Sequence, residues 1–154
     1  MKSKIQAVLE FLITHGWIIL LIIVVVWTLY AAGMFKPCRW VELQAKEFPL
    51  SEVKVVPIRL TKEDLVFEVY YQQEGSAEYV SISITGTADG KPVTIGNIGN
   101  TTATFSSTSP VIITVTLSGL NGGECADFDV TIEYIKPGAT TTSKVSGKII
   151  GLVS

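Results

Sequence analysis

The sequence predicts an α+β chain, a long N-terminal hydrophobic α-helix followed by an all-β antiparallel sandwich head. Three observations carry this: an uncharged run of 25 residues from Phe11 to Phe35, a change to alternating apolar and polar residues beyond Pro37, and turn residues that recur between the alternating runs. A chain of 154 residues has room for one compact domain and an appendage rather than two ordinary domains. The expected divisions are a leader at 1–5, a membrane or filament-core helix at 6–35 and a head at 36–154.

The uncharged run includes WIILLIIVVVW, Trp17 to Trp27. At helical rise it makes about 37 Å, against about 30 Å for the hydrocarbon core of a bilayer. Lys2 and Lys4 precede it and predict a cytoplasmic N-terminus, an asymmetry that Lys36 and Arg39 beyond the run reduce. Glu10 stands at the edge of the run, where a lone charge in lipid costs a few kcal/mol. It is either solvated among head groups or paired. Gly16 and Gly33 interrupt the bulky residues, either as points of close approach or local unwinding, or as glycines a membrane helix tolerates. His15 is the single histidine of the chain and has no companion residues for chemistry, which makes it a packing or interface residue.

In the head, Leu65, Phe67, Val69 and Tyr71 share one parity, and Val111, Ile113, Val115 and Leu117 another. Val80, Ile82 and Ile84 alternate with Ser81, Ser83 and Thr85, and Phe128, Val130, Ile132 and Tyr134 alternate with Asp127, Asp129, Thr131 and Glu133. Each set reads as a strand with an inward and an outward face. The Asp127–Glu133 face is read as solvated, with a calcium site at Asp127 and Asp129 the lesser alternative. Asp89-Gly90 suits a type I′ hairpin, while Asn121-Gly122-Gly123 and Pro137-Gly138 separate further strands. Pro57 places its strand at an edge or a bulge, and a parity shift between Val55 and Val56 favours the bulge. Seven or eight short strands at this spacing predict an immunoglobulin-like sandwich.

The stretch Gly96 to Pro110 is rich in Gly, Ser, Thr and Asn and contains the sequon Asn100-Thr101-Thr102, a glycan acceptor in a secreted head. Cys38 and Cys125 lie outside any CxxC spacing, which argues against a zinc site or a catalytic dithiol. In an extracellular head they are expected to form one disulfide that clamps the start of the head to a late strand. Of 12 basic and 14 acidic residues, Lys2, Lys4 and Glu10 fall in the N-terminal segment, which leaves the head at 10 and 13, a net −3. No basic patch for nucleic acid is indicated. The head also lacks histidine, a GxSxG elbow and a phosphate-binding glycine loop, so an enzyme, a cofactor and a metal centre are not expected.

The segment Gln6 to Trp17, QAVLEFLITHGW, resembles the start of archaeal type IV pilins with a class III signal peptide. In that family a short basic leader is removed before a Gln-like residue and a glutamate follows four positions later. The resemblance implies cleavage between Ile5 and Gln6, with Glu10 at the fifth mature position as an assembly residue. Glu10-Phe11-Leu12 followed by Gly16-Trp17 is similar to the family's "EYL…YGW" run. Two positions depart from the pattern: Ile5 stands where the family has a small residue, and Val8 where it commonly has serine.

The resemblance covers roughly the first 35 residues. It implies a structural subunit of an archaeal type IV (adhesion) pilus that is processed by a prepilin peptidase and handled by pilus assembly machinery. Such a subunit is held in the cytoplasmic membrane before it joins a homo-oligomeric helical filament at the cell surface. Its new α-amino group at Gln6 pairs with Glu10 one turn away or on a neighbouring subunit. Two other readings share these features, a non-polymerising membrane-anchored binding domain and a minor pilin-like component. A further one treats residues 1–32 as a secretory signal with Ala31-Ala32-Gly33 at its end, although its apolar core exceeds the usual length of about 7 to 15 residues.

Overall fold

Helix α1 runs over Lys2–Ala31, and no proline interrupts its 30 residues. The computed structural model describes residues 2–35, 37–40 and 42–154; Met1 of the expected leader and Lys36 at the expected start of the head lie outside the described residues. The chain divides into two units, 1–36 and 37–154.

The α-helix ends at Ala31, not at Phe35 as the uncharged run suggests, and Gly33 is the reason. Gly33 adopts φ 68°, a left-handed conformation open to glycine at little cost. Its N–H bonds the Tyr30 carbonyl at 2.9 Å and the Met34 N–H bonds the Leu29 carbonyl at 3.1 Å, the paired bonds of a Schellman cap. Gly33 therefore terminates α1 instead of unwinding it midway.

The second unit opens with a 3-10 turn at Pro37–Trp40 and continues in ten strands. They are β1 (Gln44–Lys46), β2 (Val53–Leu60), β3 (Asp64–Tyr71), β4 (Ala77–Ala88), β5 (Lys91–Pro92), β6 (Thr94–Asn100), β7 (Thr104–Phe105), β8 (Val111–Ser118), β9 (Cys125–Ile135) and β10 (Thr142–Leu152). One sheet has the order β1-β10-β9-β4-β5 with β7 also on β4, and the other has the order β2-β3-β8-β6. Every pairing is antiparallel.

The inner faces follow the expected parities. Leu65, Phe67 and Val69 of β3, Val111, Ile113 and Val115 of β8, and Phe128, Val130, Ile132 and Tyr134 of β9 are all fully buried in one core shared by both sheets. Phe128 lies across Gly86 of β4, where an added Cβ would come within 2.3 Å of its ring, so glycine makes the space the aromatic fills. The type I′ turn forms at Asp89-Gly90, with φ 47° and 80°, between Ala88 and Lys91.

Two readings are corrected. Val80 does not share the inward face of Ile84: the register shifts between Tyr79 and Ser81, and the bulged Val80 is left 42% exposed. The β2 bulge lies between Pro57 and Arg59 rather than at Val55–Val56, and it turns Ile58 outward at 52% exposure. Pro57 is also on an edge strand, since β2 ends its sheet, so the missing ladder donor is tolerated. The first residues of the Gly/Ser/Thr/Asn-rich stretch belong to β6. Gly96 lets that strand approach β8, where an added Cβ would sit 3.2 Å from the Thr116 carbonyl oxygen.

Two ties hold the periphery. Cys38, buried in the 3-10 turn, is disulfide-bonded to Cys125 at the start of β9, with Cα atoms 5.7 Å apart. Glu52, just before β2, accepts hydrogen bonds from the Tyr134 hydroxyl at 2.6 Å and from Lys136 Nζ at 3.0 Å, joining β9 to the opposite sheet. Tyr134 also packs edge-on against Tyr71 and Phe105, with ring centroids 6.0 and 6.1 Å away. Burial, then the bond to Glu52, pushes the Tyr134 hydroxyl well above the usual phenol range. The same bond, followed by that from Lys136, holds the Glu52 carboxyl below the usual carboxylate range.

Replacing Cys38 and Cys125 by serine is expected to lower unfolding free energy by about 4.6 kcal/mol, the chain-entropy figure for a loop of this length, as read by denaturant titration of the oxidised and variant proteins. The depressed Glu52 carboxyl contributes stability above its unfolded pKa, near 4.3, and loses it as pH falls through the lower folded value. Glu52→Gln should therefore cost about 1 kcal/mol at pH 7, allowing for solvent screening of a side chain 32% exposed, and progressively less as pH falls through the folded value. Thermal melts of both proteins across that range check the sign.

Candidate functional site: an exposed apolar helix

Helix α1 is apolar around its whole circumference. Leu, Ile, Val and aromatic side chains from Ile5 to Trp27 are exposed on every side, with Trp17 at 61% and Trp27 at 69%. An amphipathic helix of a globular domain has one dry stripe, whereas a helix apolar all round belongs inside a large core or in lipid. From Lys4 to Ala31 the helix is long and apolar enough to cross a membrane. The arrangement is a helix plus β-domain of pilin-like kind.

The polar side chains of α1 are few, and three of them, Thr14, His15 and Thr28, bond within the helix. The Thr14 hydroxyl donates to the Glu10 carbonyl and the Thr28 hydroxyl donates to the Val25 carbonyl, so neither needs water. His15 stacks on Phe11 with ring centroids 4.5 Å apart. Its Nδ1 lies 3.1 Å from Thr14 Oγ1 and 3.3 Å from the Phe11 carbonyl oxygen. Glu10 differs from these, since no described side chain forms an ion pair or hydrogen bond with its carboxylate.

Gln6, Glu10 and Thr14 recur at four-residue spacing and so lie along one face of α1. Ile5 and Gln6, the residues flanking the expected leader cut, both lie within the first turns of the helix. Gly16 has open space where a Cβ would stand, so no neighbour in this chain requires a glycine there.

In the head, Asn100 ends β6, an edge strand, and its side chain is exposed; Nδ2 donates to the Thr102 carbonyl at 3.0 Å. Asp127 and Asp129 do not face each other across an open cation site. Both approach Lys148 Nζ on β10, at 3.8 and 3.6 Å, and Asp127 followed by Asp129 raises the Lys148 ammonium above its usual range.

The helix-borne features, Gln6, Glu10 and His15, are visible in the sequence. Two others are not: the Thr14 contacts that orient His15, and the Glu52–Tyr134 tie, whose partners are 82 residues apart. A local pattern carries no signal for a contact of that separation. No protein-family model matches the chain, no curated protein matches it, and no solved structure matches it.

Proposed function

We propose that this chain is a structural subunit of an archaeal type IV pilus and polymerises through α1. The observation that carries the reading is the exposure of an all-round apolar helix with one unpartnered carboxylate close to its start. Such a surface is stable in lipid or against other apolar helices, and in water it exposes far more nonpolar area than a monomer tolerates, at roughly 25 cal/mol per Å². One segment then serves first as membrane anchor and afterwards as filament core, with the head carried at the cell surface.

In this reading a prepilin peptidase removes residues 1–5, and the α-amino group freed at Gln6 pairs with Glu10 of a neighbouring subunit. Pairing neutralises two charges that lipid or a dry filament core penalises by several kcal/mol. The head has no catalytic task, and a glycan on Asn100 would shield the β6 edge from strand addition. Assembly requires the pilus machinery to extract the subunit from the membrane. The alternative, a membrane-anchored binding domain that does not polymerise, is separated from this by the behaviour of Glu10.

Glu10→Ala should leave membrane insertion and the oxidised head intact while reducing filaments by roughly tenfold or more, since each tenfold corresponds to about 1.4 kcal/mol and a lost charge pair in a dry core exceeds that. The measurement is the amount of subunit in sheared surface filaments relative to that in the membrane, with assembly machinery present. Normal filament yield from this variant would remove Glu10 from assembly and favour the anchored binding domain.

A further inference from the structure

Between Lys4 and Tyr30, α1 carries two ionisable side chains, Glu10 and His15. Five residues of helix separate them by about 140° around the axis and about 7.5 Å along it, so they cannot meet on one helix. Each is exposed on its own side of α1.

The surroundings of His15 decide which of its nitrogens is free. Thr14 uses its hydroxyl hydrogen on backbone carbonyls, those of Glu10 and, at 3.3 Å, Phe11. Its oxygen can then only accept from His15. The Phe11 carbonyl, the other neighbour of Nδ1 at 3.3 Å, can also only accept. With acceptors on both contacts, Nδ1 carries a hydrogen, and the stacked Phe11 ring holds the imidazole in that orientation. No described residue bonds Nε2, and His15 is exposed, so Nε2 is available as the imidazole's second polar contact.

We infer that His15 is the docking partner of Glu10 on a second copy of this chain, the two α1 helices lying parallel with a stagger of about five residues, roughly 7.5 Å. The inference rests on the polymer reading and specifies its contact. One shared proton joins Nε2 to a Glu10 oxygen, whichever of the two groups holds it, so the pair enters an apolar core without net charge.

Charge complementarity within a single sequence points to another copy as the occupant. The same stagger also accounts for the Gln6 contact. A copy displaced by four residues towards the C-terminal end brings its Gln6 level with Glu10, and a copy displaced by five the other way brings its His15 there. The two spacings differ by about 1.5 Å, which side chains absorb, so one repeated step serves both contacts. A carboxylate has two oxygens and accepts from both sides, from Nε2 through the shared proton and from an N–H of the α-amino group, which gives up its own extra proton on docking so that the three groups together carry no net charge. An interface of this type joins unlike patches, Glu10 on one copy and His15 on the next, and repeats into an open filament instead of closing as a dimer.

The test uses the full chain expressed with its assembly machinery, and filament yield is normalised to membrane-inserted subunit. His15→Leu is expected to lower the yield by about tenfold, whereas His15→Arg, which keeps a donor facing Glu10, stays within about threefold of wild type. A residue that merely packs would show the reverse order, because leucine suits an apolar core and arginine does not. Register is read separately with Ile13→Cys combined with Ile19→Cys. These positions lie one turn beyond Glu10 and His15, on facing sides of two helices so staggered, and leave the pair itself untouched. Oxidation should give a covalent ladder from the double variant, not from either single one, and His15→Leu should abolish it. Wild-type filaments with unchanged His15→Leu yield, or with no ladder, overturn this contact alone. A wild-type chain that forms no filaments overturns the polymer reading along with it.

Discussion

The unpartnered apolar surface of α1 is the constraint on which the rest of this molecule depends. A side chain such as Trp17, Ile19 or Trp27 contributes only a few kcal/mol when it leaves water, but along a 30-residue helix those contributions share one sign and no polar face opposes them. The helix must therefore exchange water for lipid or for protein. Its polar groups conform to that requirement: Thr14 and Thr28 bond carbonyls of their own helix, and His15 is oriented through Nδ1. Glu10 is left without a partner among the described side chains.

The head has the opposite character. Its core is closed by its own two sheets, from Val53 and Val55 on β2 to Ile149 on β10, and chemical ties hold the ends in place. The disulfide secures the first turn to β9, Glu52 joins Tyr134 across the sheets, and Ser154 bonds the Leu60 carbonyl through both its backbone N–H and its hydroxyl. The head completes its own core, and the sheet that ends in β2 and β6 carries Pro57 and a bulge at one edge and a register irregularity at the other, features that disfavour edge-to-edge pairing.

Much of this architecture was legible because period and burial agree. The inward sets on β3, β8 and β9 need only alternation to be read, and the hairpin at Asp89-Gly90 needs only the demand for positive φ. What escaped the sequence was set by contacts rather than by pattern. The Val80 bulge depends on how β4 registers against β9, the position of the β2 irregularity depends on β3, and β6 is a strand because glycines let it approach β8 in spite of weak apolar content. Gly33 had an ambiguous role until the Leu29 and Tyr30 carbonyls showed it as a cap. In the candidate site, Glu10 stood out as a carboxylate against an apolar run, whereas the free nitrogen of His15 follows only from the positions of Thr14 and Phe11.

The central claim is that α1 is the core of a polymer, and helical reconstruction by electron microscopy of filaments sheared from the cell surface addresses it most directly. The account predicts density that begins at Gln6, α1 helices packed against one another along the axis, and β-sandwich heads on the outside with no head-to-head contact sufficient to hold the filament. Filaments built from the heads with α1 outside the core, or a chain found solely as single lipid-embedded copies, would contradict it.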